Sequence, residues 1–436
     1  MTLPLDAAAG TGSAADAGHY DALESRDPAD REAALMARLP ALLDHARRHA
    51  PGYARIFDGI EPAEIRSRAA FAQVPVTRKS ELKALQTAVP PLGGLNAIPI
   101  ERFAKLFVSP GPLYEAEGYG VDWWRTARAL HAAGFRPGDR VTNTFGYHMT
   151  PAGSIFESGA LACGCVVLPG GVGQTEGQAA AIAALRICGF IGTPSFLDLI
   201  VQKADEQNID LSCLRKAMVA AEYLPPALRR RLGERGLKVM QSYATAEVGL
   251  VAYESTAGGV LCDGMIVDEG ILLEIVEPGT GRPVADGEVG EVLVTRFNED
   301  YPLIRFALGD LSATLAGPSP CGRTNTRIKG WLGRADQSAK VRGIFVHPSQ
   351  IADIQRRHPE VLRARLVIDL ENERDRMVLH CEVAAGAPAA LKTALAATAR
   401  DVTRLRTEVE LRVPGSLPQD GRAIEDARGY GVTGSG

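Results

Sequence analysis

The sequence predicts a two-domain α/β fold: a large N-terminal domain with doubly wound sheets and a hairpin-rich β subdomain, followed by a small α+β C-terminal domain. The chain has 436 residues, which exceeds the size at which one hydrophobic core stops growing. Its middle alternates short apolar runs with helical patterns, which is typical of a parallel sheet. From about residue 260 the pattern changes to β-branched runs separated by turn signals, which favours antiparallel hairpins.

The N-terminal part of the chain is predicted to be mostly helical. Residues 1–18 are rich in Ala, Gly and Asp, and we expect a loose tail there. Apolar residues three or four apart predict a helix from Asp27 to His49, interrupted at Pro40 and ended by Pro51-Gly52. A mostly helical stretch continues to about Leu85.

The middle of the chain predicts strands that alternate with helices. A buried strand is expected first, then a Gly-rich turn and an Ala-rich helix that begins at Gln174. The expected elements, in order, are the strand Cys163–Leu168, the turn Pro169–Gly173, the strands Phe190–Gly192 and Ala217–Ala221, the helix Pro225–Arg235 and the strand Val239–Ser242.

The C-terminal part predicts a hairpin and then a separate α+β unit. Ile271–Val276 and Glu291–Thr295 are short β-branched runs, and the linker between them contains the turn signal Asp286-Gly287. We place the domain boundary near Arg334–Asp336, with a large domain over residues 19–333 and a small domain over 334–436. Beyond it we expect the strand Ile344–His347, a helix capped by Ser349 that runs to His358, the strands Arg365–Asp369 and Met377–Val383, the helix Ala389–Leu405 and the strand Val409–Val413.

Composition and charge exclude several classes of protein. The formal net charge of −4 provides neither a basic surface for nucleic acid nor a polybasic membrane anchor. No apolar run approaches the roughly 20 residues that span a bilayer, and the N-terminus lacks the layout of a signal peptide. The seven cysteines are scattered without a Cys-x-x-Cys pair, so we expect free thiols, a cytoplasmic location and no structural metal. Dimers are the commonest soluble assembly, but no sequence feature demands one, so a homodimer is one alternative and the oligomeric state stays open.

Four segments place glycines or polar side chains where strands should end. Ligands of open α/β sheets bind beyond the carboxyl ends of the strands, so these segments are candidates for a binding site. The segments are Gln241-Ser242-Tyr243-Ala244-Thr245-Ala246-Glu247, Tyr301 to Asp310, Gly333 to Asp336 with Lys340 to Gly343, and Gly415 to Arg422.

In this order and at these separations, the four segments resemble those of the phenylacetate–CoA ligase family, in the adenylate-forming superfamily. The resemblance runs from about Tyr53 to Arg422. Further stretches that support it are Arg136-Pro137-Gly138-Asp139, Gly173-Gln174-Thr175-Glu176, Thr193-Pro194-Ser195, Pro320-Cys321-Gly322-Arg323-Thr324 and His347-Pro348-Ser349-Gln350-Ile351.

The resemblance implies a reaction in two steps. A carboxylate attacks the α-phosphorus of Mg-ATP, which gives an acyl-adenylate and pyrophosphate. The small domain then rotates, and the thiol of coenzyme A displaces AMP. The expected ligands are therefore ATP or AMP, Mg²⁺, CoA and a small carboxylic acid.

The resemblance also assigns roles to residues. Asp310 would hold both ribose hydroxyls, Arg334 would donate to the ribose side, and Asp336 would be the hinge. Glu247 would be the Mg²⁺ ligand and a catalytic residue, together with Arg422. The adenine and AMP pocket would be lined by Ala221, Glu222, Tyr243, Ala244 and Thr245. Tyr147 falls where the family builds its aryl-acid pocket, and His148 beside it is a candidate contact for the substrate carboxylate, although a packed or solvated histidine is the alternative.

The stretch that matches the family's phosphate loop departs from its pattern. The family has Ser-Ser-Gly-Thr-Thr-Gly-x-Pro, whereas this chain has Val108-Ser109-Pro110-Gly111-Pro112-Leu113-Tyr114-Glu115. Only Ser109 and Gly111 remain as phosphate-binding candidates, because the prolines remove N–H donors. A charged Glu115 at about 4 Å from a phosphate charge would repel it by about 4 kcal/mol at an effective dielectric of about 20.

Other departures affect the same step. Ala246 and Leu308 stand where the family has threonines, and Arg422 stands where it has a lysine. Arginine keeps the charge but presents it with a different geometry. The positions of the family's Cys/His metal-like site hold Ser255, Met265, Ser319 and Cys321 in this chain, which predicts that no zinc binds there.

Three functions are compatible with this pattern. The leading hypothesis is an AMP-forming acid–CoA ligase that acts on an aryl or related acid through a rearranged phosphate loop. The second is a catalytically degenerate relative that binds a nucleotide or an acyl-CoA. The third is a repurposed enzyme that passes the acyl group to another acceptor, such as an amine or a carrier thiol. Acid-dependent release of AMP, and its dependence on CoA, would separate the three.

Overall fold

The computed structural model describes residues 18–109, 112–341, 344–371, 374–384, 387–388, 390–418 and 420–428. The tail expected at residues 1–18 therefore lies, apart from Gly18, outside the described residues. The chain divides into two compact units. The large unit comprises Met1–Leu308 and Ala313–Gly330, and the small unit comprises Gly309–Ser312 and Trp331–Gly436.

The large unit contains nine α-helices within the part of the chain that the structure describes. They are α1 Pro28–His49, α2 Pro51–Ile56, α3 Arg68–Phe71, α4 Lys79–Ala88, α5 Ala127–Ala132, α6 Ala152–Ala162, α7 Thr175–Ala184, α8 Pro194–Glu206 and α9 Pro226–Glu234.

The strands of the large unit form two main sheets and two separate hairpins. In chain order they are β1 Thr77–Arg78, β2 Lys105–Ser109, β3 Leu113–Glu117, β4 Arg140–Asn143, β5 Val166–Pro169, β6 Gly189–Gly192, β7 Lys216–Val219, β8 Lys238–Thr245, β9 Gly249–Tyr253, β10 Thr256–Ala257, β11 Val260–Leu261, β12 Met265–Val267, β13 Ile271–Val276, β14 Gly290–Arg296, β15 Leu303–Ser312, β16 Thr314–Leu315 and β17 Arg327–Ile328. The last four residues of β15 belong to the small unit.

The larger sheet has nine strands in the order β16-β17-β12-β9-β8-β7-β6-β4-β5. Strands β8, β7, β6, β4 and β5 are parallel, and the remaining pairs are antiparallel. Side chains of β6–β8 alternate between two hydrophobic clusters. Phe190, Ala217 and Val239 pack with helices α7–α9, whereas Ile191, Met218 and Met240 pack with α5 and α6. This alternation places helices on both faces and confirms the doubly wound sheet.

The second sheet of the large unit has four strands in the order β1-β15-β14-β13. Strands β13 and β14 pair antiparallel, with Ile271 opposite Arg296 and Val276 opposite Glu291. The hairpin predicted from the turn signal Asp286-Gly287 is therefore confirmed.

Two predictions about the large unit were wrong in detail. Helix α1 continues through Pro40, because its buried face of Leu35, Leu39, Leu43 and Ala46 holds the helix against the core on both sides of the proline. Strand β5 is half exposed and begins only at Val166, because it forms the edge of the nine-stranded sheet and has one neighbour, β4.

The small unit is an α+β unit. Its elements are β18 Ala339–Val341, β19 Ile344–Val346, α10 Pro348–Arg357, β20 Val361–Glu371, β21 Arg374–Val383, α11 Leu391–Thr403, β22 Glu408–Arg412 and β23 Ile424–Asp426. Four of the strands form a sheet in the order β22-β21-β20-β23, and both helices contribute to its apolar cluster. The predicted fold class is thus confirmed for both units.

The cap of α10 differs from the prediction. His347 rather than Ser349 is the N-cap residue, and its backbone N–H is bound by the side chain of Gln350 in a capping box. Pro348 takes the first helical position, where its missing N–H costs nothing, so the helix begins one residue before Ser349. Within the described part of the chain, no helix combines the length and the apolar character that crossing a membrane requires.

Candidate active site

The segments after the parallel strands of the large unit meet at one edge of the sheet. Glu222, after β7, accepts a hydrogen bond from the backbone N–H of Ser195 at the start of α8, at 3.2 Å. Gln241 in β8 donates its side-chain N–H to the carbonyl of Glu222 at 2.9 Å. The structure thus brings the predicted residues Ala221 and Glu222 to the same edge as the Gln241–Glu247 segment, and both residues are exposed there.

A tight connection between β8 and β9 places the next candidates. Tyr243 is buried, whereas Ala244 and Thr245 are half-buried, and the Thr245 hydroxyl accepts a hydrogen bond from the N–H of Val248. Gly249 follows with a φ of +81°, and a Cβ atom there would lie 2.7 Å from the carbonyl oxygen of Trp124. Only glycine fits this close approach, and Gly249 therefore fixes the turn that carries Glu247.

Glu247 is almost fully buried and lies beside a lysine that no sequence motif marks. Its Oε1 atom is 2.7 Å from the Nζ atom of Lys79, the first residue of α4. Its side chain is 2% exposed, whereas that of Lys79 is 32% exposed. A positive charge at a helix N-terminus opposes the helix dipole, and this unfavourable position is the one sequence signal that could have marked Lys79 as functional.

The stretch that matches the phosphate loop forms a β-hairpin. Strands β2 and β3 pair antiparallel, with Ser109 opposite Leu113 and Phe107 opposite Glu115. Ser109 is buried, and its hydroxyl donates to Oε1 of Glu115 at 2.6 Å. The predicted phosphate contact Gly111 lies outside the described residues.

Glu115 does not carry the full charge assumed from the sequence. Burial, and next the neighbouring charge of Glu247, raise its pKa to about 8, against the lowering effects of Ser109 and Lys79. In the ligand-free protein at pH 7, Glu115 is therefore mostly protonated, and the repulsion of about 4 kcal/mol expected between unit charges does not apply in full.

Helix α4 also fixes the hairpin. The side chain of Gln86, two turns after Lys79, donates to the carbonyl of Tyr114 at 2.7 Å and accepts from its N–H at 2.9 Å. Gln86 is buried, so these two bonds satisfy both ends of its amide. The same helix thus holds the hairpin with one residue and contacts Glu247 with another. The sequence shows no motif for Gln86.

The predicted acid-binding residues follow β4. The hydroxyl of Tyr147 accepts a hydrogen bond from Asn143 at 2.9 Å, and burial raises the pKa of this tyrosine. Phe145 lies in the apolar cluster below and stacks on Phe156. Tyr147 is half-buried and His148 is exposed.

In the small unit, Asp310 and Arg334 lie together. Oδ1 of Asp310 accepts from Arg334 Nη1 at 3.2 Å and from the indole N–H of Trp331 at 3.1 Å. The backbones of Asp310 and Arg334 also form a β-bridge. Gly309 before them has a φ of +73°, and a Cβ atom there would lie 2.8 Å from Arg334 Nη2.

The other predicted residues of the small unit are Asp336 and Arg422, whose segments are joined through Gln337. Asp336 is in a short 3₁₀ turn, Ala335–Gln337, and Gln337 is hydrogen-bonded to the backbone of Gly421 and Ala423. Arg422, which lies between Gly421 and Ala423 in the sequence, has an exposed side chain. Its backbone N–H is bound by Asp420, which also pairs with Arg365 at 2.6 Å.

Three of the four positions of the family's metal-like site lie together in the large unit. The Cys321 thiol donates to the Ser255 hydroxyl at 3.2 Å and lies 3.1 Å from the Ser319 hydroxyl. Among the described residues no group of three or more His, Cys, Asp or Glu is placed to hold a metal. The absence of zinc stays a prediction.

Comparisons with known proteins identify the relatives of this chain. The model of the AMP-binding enzyme family matches residues 126–298. The phenylacetate–coenzyme A ligase of Escherichia coli is 31% identical over 352 residues, which cover 76% of this chain and 78% of that protein. The corresponding ligase of Thermus thermophilus is 29% identical over 361 residues, covering 79% of this chain and 80% of that protein.

Among solved structures, an open conformation of 2-hydroxyisobutyryl-CoA ligase in complex with 2-HIB-AMP and CoA matches with a TM-score of 0.80. It is 26% identical, and the match covers 93% of both chains. The order of the sequence motifs, the fold and the length of these matches lead to one conclusion. The chain belongs to the phenylacetate–coenzyme A ligase family of AMP-binding enzymes.

Proposed function

We propose that this protein is an AMP-forming acid–CoA ligase that acts on an aryl or related carboxylic acid. The carboxylate oxygen attacks the α-phosphorus of ATP, and the bond to pyrophosphate breaks. The CoA thiol then loses its proton and attacks the acyl carbon, the bond to AMP breaks, and a thioester forms. The carrying observation is that Glu222, Gln241, Tyr243 and Glu247 lie at or beyond the carboxyl ends of the parallel strands β7 and β8, where Gln241 donates to the carbonyl of Glu222.

Nucleotide-binding roles are assigned by chemistry within each unit separately. Ala221, Glu222 and the Tyr243–Thr245 segment present an aromatic ring, backbone groups and a hydroxyl suited to adenine and AMP. Asp310 would accept hydrogen bonds from both ribose hydroxyls, while Trp331 and Arg334 hold its carboxylate in place. Asp336 is proposed as the hinge of the small unit.

Two features support a site for Mg²⁺. Glu247 has a buried Oε2 atom without a hydrogen-bond partner among the described residues, and so has Glu115. Hard divalent cations prefer such carboxylate oxygens, usually one or two of them together with water and phosphate oxygens. When bound, Mg²⁺ would neutralise phosphate charge.

The substrate acid is assigned to the segment after β4. Tyr147 provides an aromatic wall whose hydroxyl is oriented by Asn143, and exposed His148 is within the same segment for contact with a carboxylate. Arg422 is proposed to stabilise developing charge during adenylation, as a guanidinium in place of the family's lysine. ATP and CoA as substrates, together with the free cysteines, support a cytoplasmic location.

The named relatives favour this proposal over a catalytically inactive protein that binds a nucleotide or an acyl-CoA. The proteins of Escherichia coli and Thermus thermophilus are called phenylacetate–coenzyme A ligases, and the solved structure is a CoA ligase with an acyl-AMP and CoA bound.

The test is release of AMP and pyrophosphate by purified protein with Mg-ATP, CoA and a panel of aryl and short-chain acids. Glu247→Ala and Arg422→Ala are expected to lower acid-dependent AMP release by about a hundredfold or more, because each removes a group that faces charge in the adenylation step. Exposed Glu81 and Arg406 offer matched controls, and Glu81→Ala and Arg406→Ala should retain the activity.

Each result decides between the hypotheses. Acid-dependent AMP and thioester formation, lost in both site variants, would support the ligase. AMP release that requires the acid but not CoA would indicate a different acyl acceptor. No release with any acid, together with thermal stabilisation by AMP or an acyl-CoA, would contradict the proposal and support a binding protein.

A further inference from the structure

A buried arginine at the end of β14 lacks a carboxylate partner among the described residues. Arg296 is 1% exposed, and its Nη2 atom donates to the backbone carbonyl of Trp123 at 3.2 Å. Its Nε and Nη1 atoms are buried, and neither has a hydrogen-bond partner among the residues that the structure describes. Buried polar groups are normally hydrogen-bonded, so these two donors require an explanation.

Two adjacent tryptophans flank the guanidinium group. The Cζ atom of Arg296 lies 4.6 Å from the ring centroid of Trp123 and 5.4 Å from that of Trp124. The indole N–H of Trp124 donates to Glu117 at 2.7 Å. The indole N–H of Trp123 is buried and has no acceptor in the described part of the chain. The stack of Arg296 on Trp123 therefore contains three nitrogen donors that no described acceptor satisfies.

The described surroundings of this stack are apolar or already paired. Trp123 packs against both main apolar clusters of the large unit. Burial, and next the charge of Arg125, hold the pKa of Arg296 well below its ordinary value, and Arg125 itself is paired with Asp268 at 2.8 Å. Arginine nevertheless stays protonated in proteins. Cation–π contacts offset only part of the cost of burying its charge, so a counter-ion is needed.

The chemistry of the three donors selects the class of ligand. Guanidinium and indole N–H groups only donate, so a water molecule could accept from them but would leave the positive charge uncompensated. An anion accepts the same hydrogen bonds and also neutralises the charge. We propose that Arg296 and the indole N–H of Trp123 form a binding site for a small monovalent anion, a halide or a short carboxylate, in the interior of the large unit. Trp123 is half-buried, so the stack is reached from solvent along this side chain.

The side chains of this anion site are held in place by other contacts. A Cβ atom at Gly118 would lie 2.3 Å from the ring of Trp123, so only glycine leaves room for the indole there. Arg296 pairs with Ile271 in the β13–β14 ladder, which fixes the backbone that carries the guanidinium. Donors that are ordered before the ligand arrives lose little entropy when it binds.

The anion site goes beyond the proposed ligase reaction. Neither Arg296 nor Trp123 has a role in the proposed binding of nucleotide, magnesium or acid. Loss of ligase activity would therefore leave the anion site standing, and failure of the anion test would leave the ligase proposal standing.

The test is thermal unfolding of the purified full chain in sodium gluconate, which is replaced stepwise by sodium chloride or sodium acetate at constant ionic strength. Gluconate serves as the bulky reference anion. We expect a saturable rise of about 2–3 °C in the Tm of the wild type, because a ligand that binds only the folded state stabilises it. A rise in chloride alone would identify a halide site, and a rise in both salts a site that also accepts carboxylates.

Two variants and a control locate the effect. Arg296→Met should abolish the rise, because it removes the charge. Trp123→Phe keeps an aromatic ring but loses the N–H donor, and it should weaken the apparent affinity severalfold. Arg230→Met removes the same charge from an exposed position of α9 and should retain the full rise.

The proposal is overturned if the wild type has the same Tm in all three salts, or if folded Arg296→Met keeps the saturable rise. Replacing an unpaired buried charge by an apolar side chain is usually tolerated, and circular dichroism would show whether Arg296→Met is folded. If that variant is unfolded, anomalous diffraction from wild-type crystals grown in bromide decides instead. A bromide peak beside the guanidinium would support the site, and a water molecule alone would overturn it.

Discussion

At the scale of single residues, the structure shows how a substitution that looks unfavourable in sequence is accommodated. Glu115 stands in the stretch that matches the family's phosphate loop, where the sequence predicts that a charge would repel ATP. Burial and Glu247 raise its pKa to about 8, so the repelling charge is largely absent near neutral pH. The sequence could place Glu115 in the loop but could not give its protonation, because that depends on neighbours more than 100 positions away.

Gly309 supplies a residue-scale prediction about nucleotide binding. In Gly309→Ala the new Cβ atom would lie 2.8 Å from Arg334 Nη2, which must then move away from Asp310. We expect AMP binding to weaken about tenfold, since the carboxylate that would hold the ribose loses an orienting donor. Isothermal titration calorimetry with AMP measures this change.

The matched control for this variant is Gly279→Ala. Gly279 has a similar φ of +79° but no atom within 4 Å of the added Cβ, so it shares the backbone strain without the contact. Both variants should lose about 1–2 kcal/mol of unfolding free energy from the left-handed conformation. Equal AMP affinity in the two variants would show that Arg334 does not position Asp310.

At the scale of elements, capping residues determine where the helices begin. Side-chain contacts from a helix then determine which neighbouring segments it fixes. Helix α4 was expected only as part of a helical stretch, yet it contributes Lys79 at its start and Gln86 two turns later. Helix α10 was predicted with nearly correct bounds but with the wrong cap. Propensity could not separate His347 from Ser349 because both can accept a hydrogen bond at an N-terminus.

His347 gives an element-scale prediction about pH. Burial lowers its pKa from 6.5 to about 4, and its Nδ1 atom lies 3.1 Å from the Ser338 hydroxyl. The unfolded chain binds the proton more tightly, so the unfolding free energy falls as the pH drops through 6.5 and stops falling near pH 4. The accumulated loss is on the order of 3 kcal/mol.

Urea unfolding of the wild type and of His347→Asn across this pH range measures the effect. Asparagine is a good N-cap residue and does not titrate, so the variant should keep the helix while losing this part of the pH dependence. Relative to the wild type, the variant should therefore gain about 3 kcal/mol of unfolding free energy between the neutral and the acidic end of the range. Parallel pH profiles would show that His347 is protonated equally in both states.

At the scale of the whole molecule, the ordered motifs predicted the fold class and family because the strand–helix alternation and the site segments are local patterns. The residues at the carboxyl ends of β6, β7 and β8 could be placed for the same reason. Lys79 and Gln86 could not be placed, because their partners Glu247 and Tyr114 are distant in sequence and no motif marks the pairing.

A second long-range network, in the large unit, links the two ends of that unit's sequence. Glu24 is 1% exposed, and its Oε1 atom accepts from Arg323 Nε and from the Tyr253 hydroxyl, both at 2.5 Å. Nearby, Arg31 is 2.9 Å from Glu269 and also donates to Thr324. Charges buried this deeply are tolerated only as pairs. The ion pair of Glu24 with Arg323 thus joins the segment before α1 to the region after β16.

Removing one partner of this network should therefore destabilise the large unit strongly. Glu24→Ala leaves the buried Arg323 guanidinium without its carboxylate, and we expect a loss of about 3–5 kcal/mol of unfolding free energy. Urea unfolding followed by tryptophan fluorescence measures it, with exposed Asp30→Ala as the control, expected within about 0.5 kcal/mol of the wild type. Adding Arg323→Met to Glu24→Ala should recover part of the loss, because no unpaired charge remains. The contradicting result is a double variant whose loss of unfolding free energy equals the sum of the losses in the two single variants. The two side chains would then stabilise the large unit independently, and the ion pair itself would not join the two ends of that unit's sequence.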